Sequence, residues 1–275
     1  MLKQWLQRHF QTRSEPDMPG HRANLPQKSS RPEAADAPSS YHLPPGLRVY
    51  AIGDIHGRLD LLMRLHAMIE ADIVQRPAEM AQLVYLGDYI DRGSQSRQVI
   101  ELLINPPPSL PRALMLRGNH EQTLLDCIDD PARLGDWRDF GGIETMLSYG
   151  VESALLRSRS DNAATMQAFA EACAPHLDFY ESLGSSARIG DFFFCHAGIR
   201  PGIALDRQID QDLLWIRQEF LNSTSEFGAM IVHGHTPVEK PDVRRNRVNI
   251  DTGAYVTRKL TAAVIEADQI GFLST

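Results

Sequence analysis

Three short stretches place titratable or amide side chains directly after apolar runs. They are GDIHG (53–57) with Asp54 and His56, GDYIDRG (87–93) with Asp88 and Asp91, and RGNHE (117–121) with Asn119 and His120. Gly-Asp and Gly-Asn are ordinary turn pairs, so turn formation alone explains any one of them. It gives no reason for a histidine two residues after Asp54 or directly after Asn119. Two later stretches, FFFCHAG with His196 and MIVHGH with His233 and His235, add imidazoles in the same position, past an apolar run. Carboxylate, imidazole and carbonyl oxygen together form a donor set for a divalent transition ion such as Mn, Fe or Zn. The donors are too numerous for one tetrahedral ion with an open position. Two ions about 3.5–4 Å apart, sharing a bridging carboxylate, would use them all.

The elements that must position these residues follow from periodicity. LRVYAIGD (47–54), QLVYLGD (82–88) and RALMLRGN (112–119) read as strands, each ending in a glycine turn. Between them, residues 58–72 carry Leu61, Leu62, Leu65, Met68 and Ile69 on one helical stripe, and SRQVIELLI (96–104) is also helical. This alternation implies an α/β fold of βαβ units with a partly parallel sheet, in which ligands gather at the carboxyl ends of the strands. Residues 121–182 are mainly helical, whereas 187–198, 229–235, 247–254 and 260–267 are strand-rich. Asp54 and His56 lie two apart, as do His233 and His235, so in extended backbone each pair shares a face.

The first 45 residues differ from the rest. Residues 11–45 are rich in Pro, Ser and polar side chains with almost nothing to bury, which predicts a disordered tail over 1–45. Within it, Leu2, Trp5, Leu6 and Phe10 allow a short amphipathic helix over 2–10, either frayed or docking. Residues 46–275 are predicted to form one catalytic domain. The net charge of −7 disfavours a general nucleic-acid binder. No apolar run is long enough for a membrane span, and the start lacks the apolar stretch of a signal peptide. Three cysteines (127, 173 and 195) with no knuckle spacing suit a reducing, cytoplasmic setting.

The motifs GDIHG, GDYIDRG, GNHE, HAG (196–198) and HGHTP (233–237) resemble, in order and approximate spacing, those of the PPP-type metallophosphoesterases. These are the phosphoprotein phosphatases of calcineurin-like fold. DLLWIRQEF (212–220) and NIDTGA (249–254) are similar to the bacterial serine/threonine branch. The resemblance spans about Leu47 to Glu266 and implies a β-sandwich of mixed sheets flanked by helices. It also implies two divalent ions, Mn²⁺ foremost, with Fe or Zn as alternatives. One would be held by Asp54, His56 and Asp88. Asp88 would bridge to a second, held by Asn119, His196 and His235. His120 resembles the family's proton donor with Asp91 as its orienting partner. Arg92 and Arg217 match the phosphate clamps, beside Asn119, although Arg217 also reads as a surface salt bridge on a helix. Ligation by His233 is geometrically open, but eukaryotic relatives carry arginine there, which argues against it.

Of the remaining side chains, Cys195 alternates away from His196 and reads as core. His9, His21, His42, His66 and His176 read as tail, helix surface or loop. Gly141-Gly142, beside Trp137 and Arg138, either shapes the substrate cleft or starts a helix.

The resemblance implies a phosphomonoesterase in which a hydroxide activated by the two metals attacks phosphorus while His120 protonates the leaving group. Phosphoserine, phosphothreonine and phosphotyrosine proteins or small phosphate esters are the expected substrates. The alternative is a dinucleoside polyphosphate (Ap4A-type) hydrolase. Symmetrical enzymes of that kind often carry GDLVARG and GNHD where this chain has GDYIDRG and GNHE. A third reading, an inactive phosphate- or metal-binding regulator, conflicts with retention of every motif side chain.

Overall fold

The computed structural model describes residues 41–157 and 161–275. Among these described residues, ten strands form two five-stranded sheets. In the first, β1 (Leu47–Ile52) runs parallel to β2 (Met80–Tyr85), which runs parallel to β3 (Ala113–Met115). On the other side of β1 lie antiparallel β9 (Thr261–Glu266) and β10 (Gln269–Ser274). The second sheet has the order β4-β5-β6-β8-β7, with β5 (Phe192–Cys195), β6 (Met230–His233) and β8 (Arg247–Asn249) mutually parallel. Its edges, β4 (Ser186–Ile189) and β7 (Asp242–Val243), are antiparallel.

Two-residue alternation explains why the sheets stack as a sandwich. Val49 and Ala51 of β1 face Phe192 and Phe194 of β5, in a core shared by both sheets. Tyr50 and Ile52 point the other way, into the helical layer, where they join Leu61, Leu62 and Leu65 of α1 (Leu59–Gln75). Phe193 and Cys195 line the outer face of the second sheet against Leu213 and Phe220. The central strands β1, β5, β6 and β8 are therefore buried on both faces, whereas the edge strands β4, β7 and β10 are partly exposed. The three cysteines are buried thiols without disulfide partners.

The helical layer continues with α2 (Ser96–Ile104), α3 (Asn119–Asp129), α4 (Leu134–Asp139) and α5 (Gly142–Ser148). Short helices α6 (Ser153–Arg157), α7 (Asn162–Cys173) and α8 (Leu177–Ser182) follow, and α9 (Asp210–Trp215) lies between β5 and β6 in sequence.

Four expectations change. β3 stops at Met115, and the predicted strand end at 119 is the first residue of α3, because the Glu121 carboxylate accepts from the Gly118 N–H at 2.9 Å and starts the helix. The 187–198 segment is two strands folded about Gly190, with a C-terminal loop. Leu43 is 4% exposed and its N–H bonds Ala267, so packing reaches back past the boundary placed at residue 45. The helix expected over 2–10 lies outside the described residues. His66 is buried rather than on the helix surface, with its Nε2 2.7 Å from the Tyr85 hydroxyl.

Candidate active site

The parallel strands of both sheets end at the same edge of the sandwich. Asp54 follows β1, Asp88 follows β2, and Asn119 and His120 follow β3. From the second sheet, His196 follows β5, His235 follows β6, and Asp251 follows β8. Every one of these side chains is at most 5% exposed.

Asp88 is the centre of the arrangement. Its Oδ2 lies 3.5 Å from His56 Nε2 and 3.7 Å from His120 Nε2, and its Oδ1 lies 3.4 Å from His196 Nε2. Two potential ion-binding groups share it: His56, Asp88 and His120, and Asp88, His196 and His235. Asn119 Oδ1 belongs with the second group, 2.9 Å from His196 Nε2 and 2.8 Å from His235 Nδ1. Asp54 accepts the His235 backbone N–H at 3.1 Å.

Hydrogen bonds behind the imidazoles fix which nitrogen faces inward. His56 Nδ1 meets the Ile90 carbonyl at 2.8 Å, and His196 Nδ1 meets the Leu86 carbonyl at 3.0 Å. Only N–H can donate to a carbonyl, so the Nε2 lone pairs point into the site. Burial holds His56 and His235 well below the usual histidine range and brings His196 to about 3, keeping the rings in the neutral form that ligates metal. Burial, followed by neighbouring carboxylates, pushes Asp54 and Asp88 well above their usual range.

The donor set fits a cation on three observations. Lone pairs of His196 Nε2 and Asn119 Oδ1 converge at hydrogen-bond distance with no proton supplied by His196. His235 Nδ1 reaches the same point, 3.1 Å from His196 Nε2, so three donor atoms crowd one position. Three carboxylates, Asp54, Asp88 and Asp251, are crowded together, each 2% exposed. Positive charge relieves each of these.

The backbone is bent to make this possible. His56, Asp88, Asp91, Arg92 and His235 all have φ between 47° and 71°, a region that L-residues with a Cβ seldom occupy. Strain concentrated at one strand edge is the pattern of a site over-determined by its surroundings. Glu121 holds part of it, since its carboxylate accepts from the backbone N–H of Asp88 at 2.9 Å and Tyr89 at 2.8 Å. Two glycines allow the backbone to approach the carboxylates. A Cβ on Gly118 would lie 2.1 Å from Asp88 Oδ1, and one on Gly234 would lie 2.1 Å from Asp54 Oδ1.

His120 Nδ1 sits 2.6 Å from Asp91 Oδ2. Asp91 also accepts from Trp137 Nε1 at 2.9 Å and Thr145 Oγ1 at 2.5 Å. Burial pushes the Asp91 carboxyl up to about 7, while the Thr145 and Trp137 hydrogen bonds pull it down. Three donors converging on two oxygens favour the carboxylate. Arg92 donates to His56 Nε2 at 3.0 Å, and its guanidinium lies 4.7 Å from the centre of the Tyr255 ring. Arg217 occupies the break after α9, bonds Thr236 at 3.4 Å and feels the charges of Asp251, Asp88 and Asp54. It lies outside the helix, toward these carboxylates, and not on a helix surface.

His233 is not brought to the cluster. Its ring packs edge-on against Phe220, and its Nδ1 meets the Gly234 carbonyl. The shared-face argument fails because β6 ends at His233 and His235 has φ 65°, which reverses the alternation. His56, with φ 47°, is likewise not extended. Both sit in tight turns. Cys195 lies in the core.

Sequence reasoning missed Asp251, which is buried beside Asp54. Burial pushes its carboxyl up to about 6. Its signal was available, since it follows the apolar strand RVNI as the other acids do. The roles of Glu121, Trp137 and Thr145 were also missed, and only the first had a local signature, the N-terminal helix pattern of GNHE.

Comparison with known proteins agrees with this geometry. The family model described as calcineurin-like phosphoesterase matches residues 47–268. The chain is 28% identical over 232 residues to the asymmetrical bis(5'-nucleosyl)-tetraphosphatase PrpE of Anoxybacillus flavithermus, covering 77% of this chain and 87% of that protein. It is 32% identical over 168 residues to a protein of Schizosaccharomyces pombe named as a serine/threonine-protein phosphatase, covering 60% of this chain and 43% of that one. A solved cold-active protein tyrosine phosphatase shares the fold, with a TM-score of 0.53 and 16% identity over 85% of this chain and 81% of that one. Among the described residues, no helix is long and apolar enough to cross a membrane. The site at the shared strand edge and the match across most of the sequence lead to one conclusion: this chain belongs to the calcineurin-like phosphoesterase family, whose members hydrolyse phosphoester bonds at a dinuclear divalent metal centre.

Proposed function

We propose that this enzyme is a phosphomonoesterase acting on phosphoproteins, with Ser, Thr and Tyr esters as the substrate class, in a reducing cytoplasmic setting. Asp54, His56 and Asp88 would hold one divalent ion, and Asp88, Asn119, His196 and His235 the other, with Mn²⁺ the first candidate and Fe or Zn alternatives. When bound, the ions supply Lewis acidity toward the phosphoryl oxygens and toward water.

The residues of the chain do the rest. Arg92 and Arg217 bind the equatorial phosphoryl oxygens, where a guanidinium fork matches two acceptors. Asn119 and the N-terminus of α3 add a neutral donor–acceptor group and a favourable dipole beside the anion. Asp91 holds the Nδ1–H of His120, leaving Nε2 to deliver a proton to the departing oxygen.

The observation that carries the reading is this His120–Asp91 pair at the Asp88 centre. A serine or threonine alkoxide cannot leave without a proton, so a positioned acid accelerates that step. A nucleotide leaving from a polyphosphate chain departs as a stable phosphate anion and gains little. The second reading, dinucleoside polyphosphate hydrolysis, is supported by the relative named PrpE. The test measures kcat/KM for a phosphoserine peptide, a phosphotyrosine peptide and Ap4A side by side with Mn²⁺. Turnover of Ap4A without turnover of either peptide would reject the monoesterase reading.

A further inference from the structure

Resting on the phosphomonoesterase reading, we infer that the leaving-group side of the site is an aromatic subsite selecting aryl phosphates, phosphotyrosyl side chains in particular, over alkyl phosphates. Phe140, at the end of α4, packs edge-on against His120 with ring centres 5.9 Å apart. Trp215, the last residue of α9, lies 6.0 Å from Phe140 and 6.4 Å from His235. The two rings thus run from the proton donor to the far metal-ligand group, on the side toward which the leaving oxygen departs. Both are half-buried, whereas His120 and His235 behind them are 1% and 5% exposed.

Two consequences follow from this placement. First, an ester whose leaving oxygen meets His120 brings the atoms beyond that oxygen close to Phe140. A tyrosyl ester carries its phosphate at the end of a flat ring of matching shape, whereas a seryl ester has one methylene. Aromatic rings in edge or offset contact attract beyond their buried area. Second, Trp215 also lines a cavity of about 490 Å³ with Leu214, Gln122, Asp126, Arg133 and Asp210. Around it Arg133 is tied to Asp126 at 2.6 Å and Arg117 bonds Gln122 at 2.9 Å. The cavity offers space beside Trp215 for the residues that flank a tyrosyl ester.

The experiment compares the wild type with Phe140→Leu, Trp215→Leu and Trp215→Phe on one peptide carrying phosphotyrosine or phosphoserine. The wild type is expected to prefer phosphotyrosine. Each leucine variant should lower the tyrosine-to-serine ratio of kcat/KM about 3- to 10-fold, mainly through KM, and Trp215→Phe should keep most of it. An unchanged ratio in both leucine variants, with phosphoserine still hydrolysed, overturns the aryl subsite alone. Hydrolysis of Ap4A with neither peptide turned over rejects the monoesterase reading beneath it. A loss confined to Ap4A would make the nucleobase the stacked group and overturn the assignment. Competitive inhibition by phenylphosphonate against methylphosphonate reads the same subsite without turnover, and the phenyl preference should shrink in Trp215→Leu.

Discussion

His120 Nδ1 lies 2.6 Å from an Asp91 oxygen that also receives the Trp137 indole N–H at 2.9 Å. The imidazole is therefore held from behind by an acid that is itself held by a helix 46 residues further along the chain. Its other nitrogen is left toward Asp88.

That arrangement makes the value of His120 depend on the leaving group. His120→Asn should slow hydrolysis of an alkyl phosphate by about 10²–10⁴-fold, the usual range for general acid catalysis. The loss on p-nitrophenyl phosphate should be smaller, because nitrophenolate leaves without a proton. Asp91→Asn should show the same asymmetry more weakly, since it only orients and supports the ring. The check is kcat for both esters at saturating metal. Equal losses on the two esters in His120→Asn would reassign His120 as a ligand or phosphate-binding group.

Among the described residues, Asp88 is shared by both potential ion groups. Asp88→Asn should reduce bound metal below two equivalents as well as lowering the rate, because a neutral amide offers less charge to two cations. Elemental analysis of the purified variant decides it, and a full complement of metal would remove the bridging assignment. Asn119→Ala should instead weaken both esters alike and recover in part with excess Mn²⁺.

Gly234 lets the chain pass against Asp54, where an added Cβ would stand 2.1 Å from Oδ1. Gly234→Ala should push Asp54 off the His235 N–H and lower both activity and metal content, by tenfold or more in kcat/KM, on the order of 1.4 kcal/mol. Gly135→Ala in α4, with nothing within 4 Å of its Cβ, is the control, expected to be neutral or stabilising by roughly 0.5–1 kcal/mol. Comparable losses in the two variants would mean that close approach at Gly234 is not the cause.

His66 gives the protein a pH dependence separate from catalysis. Burial lowers its pKa to about 4 from the usual 6.5. Between pH 4 and 6.5 the unfolded chain binds a proton at this residue that the folded chain does not. Stability from this group is therefore full above 6.5 and is lost as the pH falls through the window. The difference corresponds to about 3 kcal/mol. The buried carboxylates with raised pKa values act with the opposite sign, so the comparison must be a difference. The wild-type urea midpoint minus that of His66→Gln, measured from pH 4 to 7, should fall as the pH drops. A constant gap across the range would remove His66 as the source.

The sequence alone determined the strands and the donor residues that end them. Alternation of apolar side chains is local, with a period of two, so β1, β2, β5 and β6 and the acids, amide and imidazoles just past them were legible without a partner in view. The pairing of Asp54 with His56 and of His233 with His235 could not be settled that way. Parity holds only in extended backbone, and positive φ at His56 and His235 breaks it. The tertiary structure alone decided that His233 turns to Phe220, that Asp251 joins Asp54, and that Trp137 and Thr145 reach Asp91. It also brought Phe140 against His120, and Trp215 against Phe140 and His235. Those contacts join residues dozens or hundreds of positions apart, and they form because two sheets with the same parallel direction stack with their carboxyl edges together. No periodicity within one segment encodes which distant side chain fills the space behind an imidazole, because that space exists only once both sheets and the helical layer have packed.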